Sequence, residues 1–174
     1  MRNILIVVDI QNDFVDGSLG TPEAQAIIEN AAKKIAEFDG DIFVTHDTHF
    51  GDYMTTQEGK NLPVEHCVKG TQGWELNSQI CDALVGKDYI AVEKVTFGSV
   101  SLPCMIEEKY GKTDIKIELI GLCTDICVVS NALILKAHFP ECEVCVDADC
   151  CAGTTPQNHD AALEVMKSCQ IKIK

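Results

Sequence analysis

The run Ile117-Glu118-Leu119-Ile120-Gly121-Leu122-Cys123-Thr124-Asp125-Ile126-Cys127-Val128-Val129 reads as a buried strand over 116–122, a tight turn, and a helix that starts near Asp125 and stays apolar to about His138. A turn of this kind carries Cys127 onto the first turn of a helix. There the unpaired N–H groups and the positive end of the helix dipole are expected to lower a thiol pKa, and the thiolate is the nucleophilic form. Thr124 and Asp125 are residue types that cap such a start. A free cysteine is also an ordinary small hydrophobe, so this stretch alone leaves both readings open.

Outward from it the chain alternates strands and helices. Residues 3–8 are apolar at nearly every position, as a strand buried on both faces of a parallel sheet should be, and residues 41–45 form a second such strand. Between them lies a turn-rich loop over 11–20, then Thr21-Pro22 as a helix start, with the helix running to about Phe38. A long irregular segment over 46–73 follows, of a length that is usually functional in a compact domain. Helical spacing over 74–85 leads to a third strand over 89–92, and Ser101-Leu102-Pro103 starts a helix to about Tyr110. Residues 143–148 form a fifth strand, Thr155-Pro156 begins a helix to Ser168, and residues 171–174 make a short sixth strand. The pattern predicts an α/β fold with a mostly parallel sheet covered on both faces, in one domain over 1–174.

Fourteen Lys and Arg against 27 Asp and Glu give a net charge of -13, which disfavours a nucleic-acid or anionic-membrane surface. The apolar run 4–8 stops at Asp9 with no cleavage-site pattern, so it reads as a strand rather than a signal peptide or membrane span, and a cytoplasmic protein is expected. Ten cysteines in such a chain point to free thiols. Cys142 and Cys145 lie in an alternating strand, where residues three apart face opposite sides, so this CxxC is not a metal or redox pair. Cys67, Cys81, Cys104, Cys150, Cys151 and Cys169 read as small core or surface residues.

In parallel α/β sheets ligands bind beyond the carboxyl ends of the strands. Asp9 stands there after the first strand, Asp47 and His49 after the second, Lys94 after the third and Cys127 after the fourth. A partly buried carboxylate can act as the base for a thiol, and a lysine between the two favours the thiolate. Taken singly, Asp9 could be a turn cap and Lys94 a solvated loop residue. Asp47, His49 and His66 form a second set, one carboxylate and two imidazoles, which suits Zn²⁺, Fe²⁺ or Mn²⁺ with open positions for a substrate.

Five ordered motifs carry a family resemblance: Val7-Val8-Asp9-Ile10-Gln11-Asn12-Asp13-Phe14, Thr45-His46-Asp47-Thr48-His49, His66-Cys67-Val68-Lys69-Gly70-Thr71-Gln72-Gly73, Glu93-Lys94, and Gly121 to Val128. Together they resemble the isochorismatase-like cysteine hydrolases and, among these, the nicotinamidase/pyrazinamidase group. The resemblance implies a Rossmann-like three-layer αβα fold with six parallel strands in the order 3-2-1-4-5-6. It implies a catalytic triad of Asp9, Lys94 and Cys127, and a cis peptide at Leu122-Cys123 that aims the backbone N–H groups of Cys123 and Cys127 at a developing oxyanion. It implies Asp47, His49 and His66 as ligands of a divalent metal, zinc first and iron or manganese next, which receives a pyridine nitrogen. Phe14 matches the aromatic residue that packs on the substrate ring. The reaction implied is amide hydrolysis: Asp9 takes the thiol proton, Cys127 attacks the carbonyl, the proton leaves with ammonia, and water cleaves the thioester.

Two stretches depart from the group. Leu62-Pro63-Val64-Glu65 stands where a tryptophan is usual, and Phe50-Gly51-Asp52-Tyr53 lacks a further histidine or asparagine. The alternative within the superfamily is a cysteine hydrolase acting on a ureido or carbamoyl amide, which keeps Asp9, Lys94 and Cys127 and needs no metal. Isochorismatase itself lacks the nucleophilic cysteine, and an inactive scaffold would lack a triad member. The partner expected is a small-molecule amide, in a homo-oligomer, with the apolar segment 128–139 serving as core or interface.

Overall fold

The computed structural model describes residues 1–174. In chain order the elements are β1 (Arg2–Val8), α1 (Asn12–Val15), α2 (Pro22–Ala26), α3 (Ile28–Glu37), β2 (Asp41–Asp47), a 3₁₀ turn (Tyr53–Thr55), α4 (Gln57–Asn61), α5 (Ser78–Leu84), β3 (Tyr89–Lys94), α6 (Leu102–Tyr110), β4 (Ile115–Leu122), a π turn (Thr124–Val128), α7 (Val129–His138), β5 (Glu143–Ala152), α8 (Pro156–Ser168) and β6 (Lys172–Ile173). The six strands pair in parallel in the order β3-β2-β1-β4-β5-β6.

The consecutive apolar residues of β1 behave as their sequence requires. Ile4, Ile6 and Val8 join the core cluster of α6, α7 and α8, while Leu5 and Val7 join the cluster of α1, α2, α3 and α5 on the other face. With all five side chains fully buried, each contributes about 1.5–3 kcal/mol of apolar transfer. Threonines start the helices: the side chain of Thr21 accepts from Ala24 N at 3.0 Å and that of Thr155 from Asn158 N at 3.1 Å, each with proline next in the chain.

Several element boundaries differ from the sequence reading. The helix expected over 21–38 is broken at Ile27 into α2 and α3. The helix expected over 74–85 is only α5, because Glu75 and Trp74 spend their carbonyls on α1 and Gln11. Strands β2 and β3 run on to Asp47 and Lys94, so both charged residues sit on the sheet itself. Strand β5 continues to Ala152 after a register shift opposite β4, which buries Cys150 and Cys151 in the sheet. Cys142 and Cys145 donate to different carbonyls, those of Lys112 and Ile117.

A buried carboxylate lies in the middle of β4. Glu118, 6% exposed in the middle of β4, meets Lys34 of α3 at 2.8 Å and Lys174 of the chain end at 2.5 Å, and Lys34 also meets Asp147 at 2.6 Å. Burial by itself would push the Glu118 carboxyl up, but Lys174 and Lys34 hold it below its ordinary value. A carboxyl lowered in the folded state adds stability above its unfolded value, and that stability is lost as pH falls through the folded value. Glu118→Gln is therefore expected to cost about 1–3 kcal/mol at neutral pH. Urea midpoints of the two proteins should converge on acidification to about pH 3; a gap independent of pH would exclude the ion pairs as its cause.

Candidate active site

The strand order sets the charged residues side by side. Asp9 follows β1, Asp47 and Lys94 are register partners at the ends of β2 and β3, and Cys127 lies in the π turn after β4. Lys94 Nζ stands 2.6 Å from Asp9 Oδ2, 3.2 Å from Asp47 Oδ1 and 3.5 Å from Cys127 Sγ. Thr45 Oγ1 donates to Asp9 Oδ1 at 2.6 Å. Asp9 has φ +48°, a left-handed turn that aspartate tolerates better than most residues and that ends the strand there.

Lys94 is 4% exposed. Burial opposes its charge, yet Asp9, Cys127 and Asp47 together raise its pKa above the ordinary lysine value, so it stays protonated. Burial raises the Asp9 carboxyl, with Lys94 opposing. Burial also raises the Cys127 thiol, and the neighbouring Asp9 carboxylate adds to the rise. The direction is opposite to the one expected from the helix start, because burial and the carboxylates of Asp9 and Asp47 outweigh Lys94.

The turn that carries Cys127 is built by close approach. Gly121 has φ +125°, and a Cβ on it would stand 2.1 Å from Val8 O, so only glycine lets β4 meet β1 at this level. The Leu122-Cys123 peptide is cis. Thr124 and Asp125 do not cap the helix, which corrects the sequence reading. Thr124 Oγ1 hydrogen-bonds His159 Nδ1 of α8 at 2.8 Å, and Asp125 accepts from Thr154 N and Oγ1 at 2.8 and 2.6 Å, so both side chains hold the turn against the β5–α8 loop. The Cys123 N–H donates to no protein acceptor.

Asp47, His49 and His66 are all buried, and their ligand atoms lie within 4.8 Å of one another. Asp47 Oδ2 is 2.9 Å from His49 Nε2 and 3.6 Å from His66 Nε2. His66 Nδ1 donates to Val64 O at 2.8 Å, which fixes the ring with Nε2 facing Asp47. Burial would raise the Asp47 carboxyl, but His49, His66 and Lys94 hold it well below the carboxylate range. His49 Nε2 is buried and, despite its nearness to Asp47, makes no aligned hydrogen bond. An orphaned imidazole nitrogen beside a carboxylate and a second imidazole is a donor set that fits a divalent metal.

Sequence reasoning missed three residues here. Glu58 of α4 places Oε1 3.7 Å from both His49 Nε2 and His66 Nε2, a further carboxylate beside the two imidazoles where the loop after His49 has no further histidine. Gln11, fully buried, donates to Asp47 O at 2.9 Å and Trp74 O at 2.8 Å and accepts from Asp47 N at 2.8 Å, fixing the backbone of Asp47. Thr45 positions Asp9. Only Thr45 carried a usable signal, two residues before Asp47 on a strand with the same facing. His46, by contrast, packs on Trp74 at 5.2 Å. Tyr53 lies edge-on to His49 at 4.7 Å and donates to Leu62 O at 2.9 Å.

Both sets open into one cavity. Its polar lining is Asp47, Glu58, His66, Cys123 and Cys127, and its apolar walls are Phe14, Leu19, Leu62, Phe97 and Ile126. Phe14 stands 5.5 Å from the His66 ring.

Residues 3–173 match the model of the Isochorismatase domain family. The nicotinamidase/pyrazinamidase of Mycobacterium tuberculosis is 27% identical over 97% of this chain and 96% of its own length. The crystal structure of a nicotinamidase/pyrazinamidase from Bacillus subtilis superposes with a TM-score of 0.84 at 25% identity, covering 99% of both chains. A zinc complex of the pyrazinamidase of Pyrococcus horikoshii superposes with a TM-score of 0.82 at 28% identity, covering 100% of this chain and 99% of that one. By fold, motif order and family match, this chain belongs to the isochorismatase family.

Proposed function

We propose that this chain hydrolyses nicotinamide to nicotinate and ammonia, with Cys127 as nucleophile and Asp9 as proton carrier, and that Asp47, His49 and His66, with Glu58 beside them, hold a divalent metal, zinc first. The observation that carries the reading is Lys94, whose one ammonium contacts Asp9 and Cys127 on one side and Asp47 on the other, so both sets form one site. The names of the relatives support a heteroaromatic carboxamide as substrate.

The reaction follows from the placement of the groups. Asp9, raised by burial, accepts the Cys127 proton as the sulfur attacks the amide carbon, and Lys94 compensates the charge on both partners. The N–H groups of Cys123 and Cys127 stabilise the oxyanion; that of Cys123 has no competing acceptor in the protein. Asp9 returns the proton to the departing ammonia, then activates water against the thioester. Phe14, 9% exposed in the cavity wall, packs on the substrate ring. A bound divalent ion supplies a Lewis-acid point for the ring nitrogen.

Ammonia release from nicotinamide by purified protein tests this directly. Release should fall on chelation and return with Zn²⁺, Fe²⁺ or Mn²⁺, and Cys127→Ala should fall by at least about a thousandfold. No release under any metal condition, with Cys127 still alkylated, would sink the nicotinamide assignment and redirect the search to ureido and carbamoyl amides. The Thr45 hydroxyl bond lowers the Asp9 carboxyl. In metal-replete Thr45→Val the acid limb of kcat/KM should therefore move to higher pH, by about one pH unit; an unmoved limb would remove Asp9 from the proton transfer.

A further inference from the structure

Asn131 of α7 is 1% exposed and stands four residues after the nucleophile. Its amide is used on both sides. Nδ2 donates to Cys127 O at 2.8 Å and to Phe97 O at 3.3 Å, and Oδ1 accepts from Ser99 N at 2.9 Å. The two loop partners flank Gly98, where a Cβ would stand 2.5 Å from Ile134 Cδ1 and 3.2 Å from Ser130 Cβ, so the loop lies directly on α7.

The loop over 95–101 joins Lys94 to α6 and presents Phe97 to the cavity wall. Its remaining hydrogen bonds stay within itself or go to α6: Thr96 Oγ1 donates to Gly98 O, Ser99 Oγ pairs with Ser101 Oγ and accepts from Leu102 N, and Ser101 O accepts from Met105 N. Val95, Phe97 and Val100 are 63%, 48% and 80% exposed, so little apolar burial holds the loop. Beyond the start of α6, every hydrogen bond from it to the rest of the protein ends on Asn131.

We propose that Asn131 is a positioning residue for substrate binding: it clamps the Phe97 wall of the cavity to the backbone of the nucleophile turn. Phe97 then keeps a fixed distance from Cys127, and an aromatic amide is gripped between a wall and a sulfur that are tied to the same side chain. A buried amide with all three bonds made is a stiff link, because breaking any of them leaves an unpaired polar group in a dry place. The substrate arm of the test rests on the amidase reading above; the exchange arm does not.

In the wild-type enzyme the Ser99 amide should exchange its hydrogen at least about a hundredfold more slowly than those of Phe97 and Val100. Asn131→Ser should raise KM for nicotinamide about tenfold while kcat stays within about threefold. Phe97→Ala should raise KM similarly, and the double variant should add little to either, because both act through one wall. Equal exchange at Ser99 and Val100 would overturn the clamp even if Asn131→Ser fails to fold. An unchanged KM in the folded variant, or full additivity in the double, would overturn its role in binding. If the wild type releases no ammonia from nicotinamide, the amidase reading fails while the exchange result still decides the clamp.

Discussion

The site depends on burying one lysine. An ammonium removed from water costs several kcal/mol unless its partners repay it, and Lys94 is repaid by Asp9, Asp47 and the Cys127 sulfur. No local sequence could gather those groups. They come from four strand ends, and only the order β3-β2-β1-β4 puts Lys94, Asp47, Asp9 and Cys127 in a row across neighbouring strands. The sheet topology and the ion cluster therefore require each other: a different strand order would leave two buried carboxylates without a cation.

Gly121 is the second constraint. Parallel strands stand closer at its level than any side chain permits, and the chain then passes the cis peptide and the π turn before α7 begins. Thr124 and Asp125 brace that turn from α8 and the loop before it, and Asn131 braces it from the loop after β3. Cys127 is thus held from both sides of the sheet's central crevice by residues that do not line the cavity.

Much of this was legible in the chain. The apolar runs of β1, β2 and β4 and the charged residues at their ends announce a parallel sheet with a site at its carboxyl edge. What was not legible has a common cause, which is contact between segments far apart in sequence. The thiol of Cys127 was expected low from its helix position, and burial beneath Asp9 and Lys94 reverses the direction. Glu58 reaches the histidines only because Tyr53–Thr55 turns and α4 follows, while Gln11 and Asn131 are ordinary amides until the fold makes them bridges. Thr124 and Asp125 show the same limit in reverse: their local capping role was plausible, and tertiary partners claimed their oxygens instead.

The charge of the cavity argues for what completes it. Asp9 and Asp47 share the single ammonium of Lys94, and Glu58 stands 3.7 Å from His66. Acidic groups thus outnumber the ammonium in a region where Asp9 and Asp47 are all but inaccessible to water and Glu58 is about four-fifths covered. Burial opposes a charge on His66, but Asp47 and the Val64 carbonyl raise its pKa, so a proton there offsets part of this, beside a second imidazole 4.7 Å away between ring centres. A divalent cation bound there would bring two positive charges to the same carboxylates and use the nitrogen of His49 that is otherwise orphaned. The excess of acidic groups and the unmet nitrogen point to the same occupant, a divalent cation.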